Sequence, residues 1–244
     1  MTKDLKVGAV IVTYQCPADA LTDLLLKIAD EVERICVVVN EAGTANHEPL
    51  QARFPEVHWV LNDTNQGLAA AQNQGIELLL PQVDAVLLLD QDTRPHAGSI
   101  EALKEALLLP LQGGERIAAV GPAYTDAVTD HWPGFVQQRP WHFARVRAAP
   151  GQLTVAADFL IASGMLIPAE VLNTVGLMDA SLFIDHVDTE WCLRAASLDY
   201  RLLGTESARF THSLGDKRYR IWFGRTRQVS THTPWRYYMS YRNS

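Results

Sequence analysis

Val86-Leu87-Leu88-Leu89-Asp90-Gln91-Asp92 is a short unbroken apolar run that ends in two carboxylates. Such a run, with no polar alternation, reads as a strand buried on both faces of an open α/β sheet, where ligands bind beyond the carboxyl ends of the strands. Two aspartates two residues apart would leave that strand on the same side. Held ionised in a cleft they need a cation, and hard carboxylate oxygens suit Mg²⁺ or Mn²⁺, which in turn attracts a phosphorylated ligand. The alternative is a solvated turn, because Asp-x-Asp recurs by chance.

The pattern repeats on either side of this run. Val7 to Tyr14 reads as a strand, Ala20 to Val32 as a helix, Ile35 to Val39 and Val57 to Leu61 as strands, and Leu68 to Leu80 as an alanine-rich helix closed by Pro81. After the Asp-x-Asp come a helix from Ser99 to about Leu109 and a strand from Ile117 to Val120. Strands alternating with helices predict an α/β fold with a mostly parallel central sheet flanked by helices. From Gly121 to Gly151 four prolines and no sustained period predict a long loop; regular structure resumes at Thr154 to Ile161, followed by the turn Ser163-Gly164, the strand Met165 to Ile167 and a short helix after Pro168. No repeat, linker or low-complexity tract is visible, so one nucleotide-binding domain over 1–216 with an extension over 217–244 is expected.

The 244 residues are 48% hydrophobic, enough for a sizeable core, and no apolar stretch approaches the roughly 20 residues of a membrane span. The N-terminus lacks the apolar segment of a secretory signal, so a cytoplasmic location is expected. Cys16, Cys36 and Cys192 are too scattered for a disulfide framework or a zinc site. The net charge of −7 is unevenly spread: seven basic residues and no acidic one follow Asp216, leaving −14 on residues 1–216 and +7 on the extension. With Tyr219, Trp222, Phe223, Trp235, Tyr237, Tyr238 and Tyr241, the extension suits an anionic membrane surface, phosphate groups, or packing against the acidic body.

Several constellations hold chemistry-bearing residues. Thr13-Tyr14 and Asn40-Glu41 end adjacent strands, where a base and ribose bind or where the chain simply turns. Neither G-x-G-x-x-G nor G-x-x-x-x-G-K-[ST] occurs, so phosphate charge falls to a metal or to side chains. Asn65-Gln66-Gly67 leads into a helix in which Asn73 lies two turns after Gln66 on nearly the same face, offering paired amides to a base or sugar; alternatively Asn65 caps the helix. Phe183 to Arg194 clusters Asp185, His186, Asp188 and Glu190 at a helix entry. Glu190 and Arg194 form an i,i+4 pair, whereas Asp188 at the helix N-terminus is either a dipole-stabilised carboxylate or a general base for a hydroxyl. His212 precedes a glycine turn and is either a surface residue or a ligand completing a metal site begun by Asp92.

Taken in order, Ala9 to Tyr14, Asn65 to Gly75, Leu89 to Thr93, Ser163-Gly164 and Val187 to Arg194 resemble a family-2 glycosyltransferase of the GT-A (nucleotide-diphospho-sugar transferase) fold, over nearly the whole chain. Phe183 to Asp188, His212 to Asp216, Pro234-Trp235-Arg236-Tyr237-Tyr238 and Arg242-Asn243 look most like bacterial rhamnosyltransferases of O-antigen and related surface-polysaccharide assembly. That resemblance implies inverting transfer of L-rhamnose from dTDP-β-L-rhamnose to a glycan or lipid-linked acceptor, with Mg²⁺ or Mn²⁺ on the diphosphate and no nucleic-acid partner. It makes Asp188 the base, and Asp92 and His212 the metal ligands with Asp90 nearby. Thr13, Tyr14, Asn40, Asn65, Gln66, Gly67, Asn73, Asp90 and Gln91 fall on the nucleotide side, and Ser163 and Gly164 on the sugar side. The family's usual Asp-Asn-Gly-Ser after the second strand is replaced by Val39-Asn40-Glu41-Ala42-Gly43-Thr44, with Asn40, or Glu41 after a one-residue shift, as the nearest counterpart of its base-reading aspartate. A UDP-sugar donor such as UDP-galactofuranose or UDP-glucose, a nucleotidyltransferase or phosphohydrolase, and a non-catalytic glycan- or membrane-binding module are the competing readings.

Overall fold

The computed structural model describes residues 5–43, 47–126, 132–212, 217–222, 226–231 and 234–243, with backbone alone at 126, 212, 217–222 and 226–231. The apolar run forms strand β4 (Ala85–Asp90), inside a nine-stranded sheet. Ala85, Leu87 and Leu89 enter one hydrophobic core while Val86 and Leu88 enter another, so a strand without polar alternation is one buried on both faces. β1 (Val7–Thr13) divides in the same way, with Ala9 and Ile11 on one side and Val10 and Val12 on the other.

The order β3 (His58–Leu61), β2 (Arg34–Val39), β1, β4 is parallel throughout, as the sequence pattern requires. Beyond β4 the sheet is mixed. β10 (Met165–Pro168) runs antiparallel between β4 and β6 (Ile117–Asp126), because the chain re-enters the sheet at its carboxyl edge. There Gly164 adopts φ +88°, its N–H donates to Leu88 O at 2.7 Å, and a Cβ would meet Phe210 and Pro122 at 2.6 and 2.7 Å. β11 (Arg201–His212) lies parallel to β6 and receives β5 (Arg94–Pro95) and β9 (Val155–Ala157) antiparallel.

Helices α1 (Ala18–Ile28), α2 (Glu48–Arg53) and α4 (Ser99–Gln112) pack on the Leu87 face; α3 (Leu68–Leu79), α5 (Ala169–Val175) and α6 (Val187–Ser197) cover the Leu88 face. Two expectations change. α4 runs through Pro110 to Gln112 instead of stopping near Leu109, because a proline in the last turn forfeits few intrahelical bonds and its φ is already helical. The segment expected to be a long loop instead continues β6 to Asp126 and forms the hairpin of β7 (Phe135–Arg139) and β8 (His142–Val146). The extension forms a hairpin of β12 (Lys217–Trp222) and β13 (Thr226–Thr231), then α7 (Pro234–Asn243). Among the described residues no helix is long and apolar enough to cross a membrane.

Candidate active site

β4 delivers Asp90 to the carboxyl edge as its last residue, and the chain then turns tightly. Thr93 N–H donates to Asp90 O at 3.0 Å, while Asp90 N–H donates to Thr93 Oγ1 at 3.0 Å. The strand thus ends before Asp92, which sits in the turn, so strand alternation does not place the two carboxylates on one side as the sequence pattern suggested. Gln91 ties this turn to the end of β1: its Oε1 accepts from Tyr14 N–H at 2.7 Å and its Nε2 donates to Tyr14 O at 3.1 Å. Its amide is thereby occupied in joining two strand ends. The Arg94 guanidinium donates to Gln91 O and Thr93 O at 3.2 and 2.9 Å, fixing a cation beside the aspartates.

Ser163 and Gly164 lie across this edge. Ser163 is fully buried and shares a short hydroxyl contact with Thr93, which links the Ser163-Gly164 turn to the Asp-x-Asp turn. Tyr124 donates to Ser163 O at 2.5 Å. Burial pushes the Tyr124 phenol well above its usual range, and the negative fields of Asp90 and Asp188 push it further. This half-buried ring therefore feels the charge of both the Asp-x-Asp turn and Asp188. Tyr124 escaped the sequence reading because it sits in the proline-containing stretch read as loop; only its pairing with Phe210 across β6 and β11 places it here.

Asp188 occupies the first turn of α6, as expected. Its Oδ1 accepts from Thr189 N–H at 2.8 Å and its Oδ2 from Ala162 N–H at 3.3 Å. Desolvation raises its pKa above the usual carboxylate range in spite of these bonds, although part of the residue still reaches the surface. Glu190 is the i,i+4 partner of Arg194, with Nε to Oε1 at 2.8 Å, as expected. The loop before Asp188 is strained. Phe183, with φ 64° and ψ −64°, is the centre of a γ-turn closed by Ile184 N–H to Leu182 O at 2.7 Å, and Asp185 and His186 follow at φ 62° and 61°. Non-glycine residues in such conformations cost of order 1–3 kcal/mol each and persist only where the surroundings impose them.

The amide cluster is organised differently from the sequence reading. Asn40, buried behind β2, gives Nδ2–H to Asn65 Oδ1 and Gly67 O at 3.0 and 3.2 Å, and its Oδ1 accepts from Gln66 N–H and Asn62 at 2.9 and 3.2 Å. Both side-chain amide groups hold the loop 62–67, so Asn40 is not available as the base reader. Asn73 is likewise withdrawn from the nucleotide side, because it donates to Met178 O at 2.8 Å and accepts from Met178 N–H at 2.9 Å. Asn65 accepts from Gly67 N–H at 2.9 Å, while the cap position itself is Gly67, at φ 87°. Gly67 is required there: a Cβ would lie 2.7 Å from the Phe183 ring, and Phe183 O receives Leu68 N–H at 2.5 Å. Thr13 is fully buried with Oγ1 directed at Val38 O, whereas Tyr14 is exposed and lies at the site mouth. Glu41, the residue after Asn40, accepts from Gln15 N–H at 2.8 Å and faces His47 at 3.5 Å.

A divalent metal is compatible with this edge. Asp90 and Asp92 supply hard oxygen donors at one strand end, and a site of that kind uses one or two carboxylates together with substrate phosphates. Among the described residues no three His, Cys, Asp or Glu side chains form a self-sufficient cage. The side chain of His212 and all of Ser213 to Asp216 lie outside the described residues. The backbone register brings the residue before His212 close: Thr211 pairs with Arg94, two positions after Asp92.

Comparison with known proteins bears on the family and the fold. Over 240 residues the chain is 29% identical to the dTDP-rhamnosyl transferase RfbF of Shigella flexneri, covering 98% of this chain and 78% of the relative. Its fold matches a crystal structure of GalNAc-T7 with UDP, GalNAc and Mn²⁺ at a TM-score of 0.70 and 17% identity, over 91% of this chain and 45% of that one. The chain therefore spans less than half of that structure, and at this identity the likeness establishes the GT-A type of fold alone. The model of Glycosyl transferase family 2 matches residues 9–162, a span that contains β1, the Asn65-Gln66-Gly67 loop, the Asp-x-Asp turn and Tyr124. The chain belongs to glycosyl transferase family 2.

Proposed function

We propose that this protein is an inverting glycosyltransferase that moves L-rhamnose from dTDP-β-L-rhamnose to a hydroxyl of a glycan or lipid-linked glycan in surface-polysaccharide synthesis. The carrying observation is that consecutive residues join the two carboxylate groups: Ala162 N–H donates to Asp188 Oδ2 at 3.3 Å, and Ser163 shares its hydroxyl contact with Thr93 of the Asp-x-Asp turn. The donor assignment leans on the similarity to the Shigella flexneri enzyme.

In this reading Tyr14, Asn65, Gln66 and Gly67, with Glu41 as base reader, line the nucleotide side, and Ser163 and Gly164 back the sugar. Asp188 accepts the acceptor hydroxyl proton, the acceptor oxygen bonds to the anomeric carbon, and the bond from that carbon to the diphosphate oxygen breaks in the same displacement. The sugar configuration inverts and dTDP leaves. Burial raises the Asp188 pKa, which makes its carboxylate a stronger base than an ordinary one. Asp92, together with Asp90 and His212, is assigned to hold Mg²⁺ or Mn²⁺, which when bound neutralises the charge growing on the diphosphate.

A ligand that binds only the folded state stabilises it by about 2.7 kcal/mol at 100 times its dissociation constant, so a thermal-shift screen decides the donor. With Mn²⁺ present, dTDP-rhamnose should raise the melting temperature more than UDP-galactofuranose or UDP-glucose. A larger shift with a UDP-sugar transfers the assignment to that donor. Pyrophosphate release indicates a nucleotidyltransferase, and no shift with any nucleotide sugar indicates a binding module.

The same reading includes contact with an anionic membrane surface. The β7–β8 hairpin presents Trp141, 95% exposed, beside exposed Phe143. Arg139, Arg145 and Arg147 accompany them, and residues 132–147 contain no carboxylate although the chain as a whole is acidic. Aromatic rings with cations suit the interface of anionic lipid. The protein should sediment with phosphatidylglycerol vesicles at low salt, less so at high salt, and Trp141→Ala with Phe143→Ala should release it. Equal retention of the double variant removes the hairpin from this role.

A further inference from the structure

The strained loop that leads into Asp188 is held from outside by the last helix of the chain. Arg242 donates to Ser181 O and Leu182 O at 2.7 and 3.1 Å. Asn243 Nδ2 lies 2.7 Å from Leu182 O, 2.8 Å from Ile184 O and 3.2 Å from Asp185 O. The Arg236 guanidinium pairs with the Asp185 carboxylate at 3.2 Å, and the Trp235 ring meets the Phe183 ring edge-on, with centroids 5.2 Å apart. α7 thus contacts both the γ-turn at Phe183 and the left-handed Asp185, two of the three residues whose backbone a free chain avoids.

This loop has two further attachments, and both belong to the active site. Phe183 O caps the N-terminus of α3 through Leu68 N–H, and its ring covers Gly67 in the nucleotide-side loop. On its other side His186 is the cap residue of α6, and Asp188 follows two residues later. A loop fixed at Phe183 and at Asp185 has little freedom left with which to move Asp188.

We infer that α7 is a clamp that sets the position of the base, with Arg236, Arg242 and Asn243 acting as positioning residues through the loop 181–186. It presses a strained loop into the conformation in which Asp188 accepts from Ala162 N–H, one residue before the Ser163 that meets Thr93 of the Asp-x-Asp turn. The inference rests on the reading of Asp188 as the base. Because the clamp acts on where a proton acceptor sits, its loss should appear in turnover more than in donor binding. On the nucleotide side Tyr14, Gln91 and Glu41 are anchored at the ends of β1, β2 and β4, and Asn65 to Gly67, although covered by Phe183, are also held by Asn40.

The test uses the full-length chain with dTDP-rhamnose, Mn²⁺ and an octyl glycoside acceptor selected by screening, comparing Arg236→Ala, Arg236→Lys, Asn243→Ala, Asp185→Ala and Asp188→Asn. Arg236→Ala and Asn243→Ala should each lower kcat by about 10- to 100-fold, with donor affinity within about 3-fold of the parent. Arg236→Lys should recover most of the Arg236→Ala loss, and the Arg236→Ala, Asp185→Ala double variant should be no slower than the worse single one, as for residues acting as a pair. Unchanged kcat in the two alanine variants overturns the clamp. So does a kcat loss that parallels lost donor affinity or lost folded protein, since that marks general structural support. Asp188→Asn separates the two ideas: its retention of turnover overturns the base reading, whereas an inactive Asp188→Asn beside fully active α7 variants overturns the clamp alone.

Discussion

Asp188→Asn is expected to leave a folded protein that binds its donor and transfers almost no sugar. A positioned general base contributes about 10²–10⁴ in rate, or about 3–5 kcal/mol of barrier, and asparagine fits the same space without accepting a proton. Donor affinity should stay within about 3-fold, because the bonds of Asp188 go to Ala162 and Thr189, outside the groups assigned to the nucleotide. Its pH dependence follows from the cause of the shift. Burial raises the Asp188 pKa, so the acid limb of kcat should lie above the usual carboxylate range, with activity rising as the group ionises. In stability the sign is opposite. A folded-state pKa above the unfolded one gives stability that is present at pH below the unfolded pKa and is lost as pH rises through the folded pKa. The melting temperature of Asp188→Asn relative to the parent should therefore improve between acid and neutral pH, which paired thermal melts measure. A variant that turns over at the parental rate removes Asp188 from the mechanism.

Asp92→Asn is expected to uncouple the donor from the metal. In the parent, Mn²⁺ should tighten dTDP binding at least 10-fold, about 1.4 kcal/mol, and by reciprocity dTDP should tighten Mn²⁺ to the same degree. In the variant that mutual gain should fall towards 1-fold, while dTDP alone binds as weakly as it does to parent protein stripped by chelator. Titration calorimetry with and without Mn²⁺ measures both sides of the cycle. Coupling that survives Asp92→Asn moves the metal to Asp90 or away from this turn. The fields acting on neighbours already separate the two aspartates, since Asp92 contributes to the raised pKa of Cys16 whereas Asp90 acts on Tyr124.

The sequence revealed whatever depends on local pattern. β4 was legible because a strand buried on both faces needs every side chain apolar, and the β1 to β4 half followed from alternation of strands with helices. The Asp-x-Asp turn and the helix entry at Asp188 were legible because each combines charge with an abrupt end of apolar pattern. What remained hidden depends on distant partners. Tyr124 joins the site only through β6 pairing with β11, across a register shift between Thr205 and Arg209. Asn40 and Asn73 have the right chemistry for a base, but loop 62–67 and Met178 use their amides first. The hold of α7 on the loop before Asp188 joins residues 51 to 61 positions apart, which no local periodicity encodes.

A crystal structure of the protein with dTDP-rhamnose and Mn²⁺ decides where the donor lies and needs no acceptor. The diphosphate and metal are expected at the Asp90–Thr93 turn, the thymine along the Tyr14 and Glu41 edge, and the anomeric carbon backed by Ser163-Gly164 and open towards Asp188. A nucleotide bound elsewhere, or an anomeric carbon turned away from Asp188, would contradict this placement.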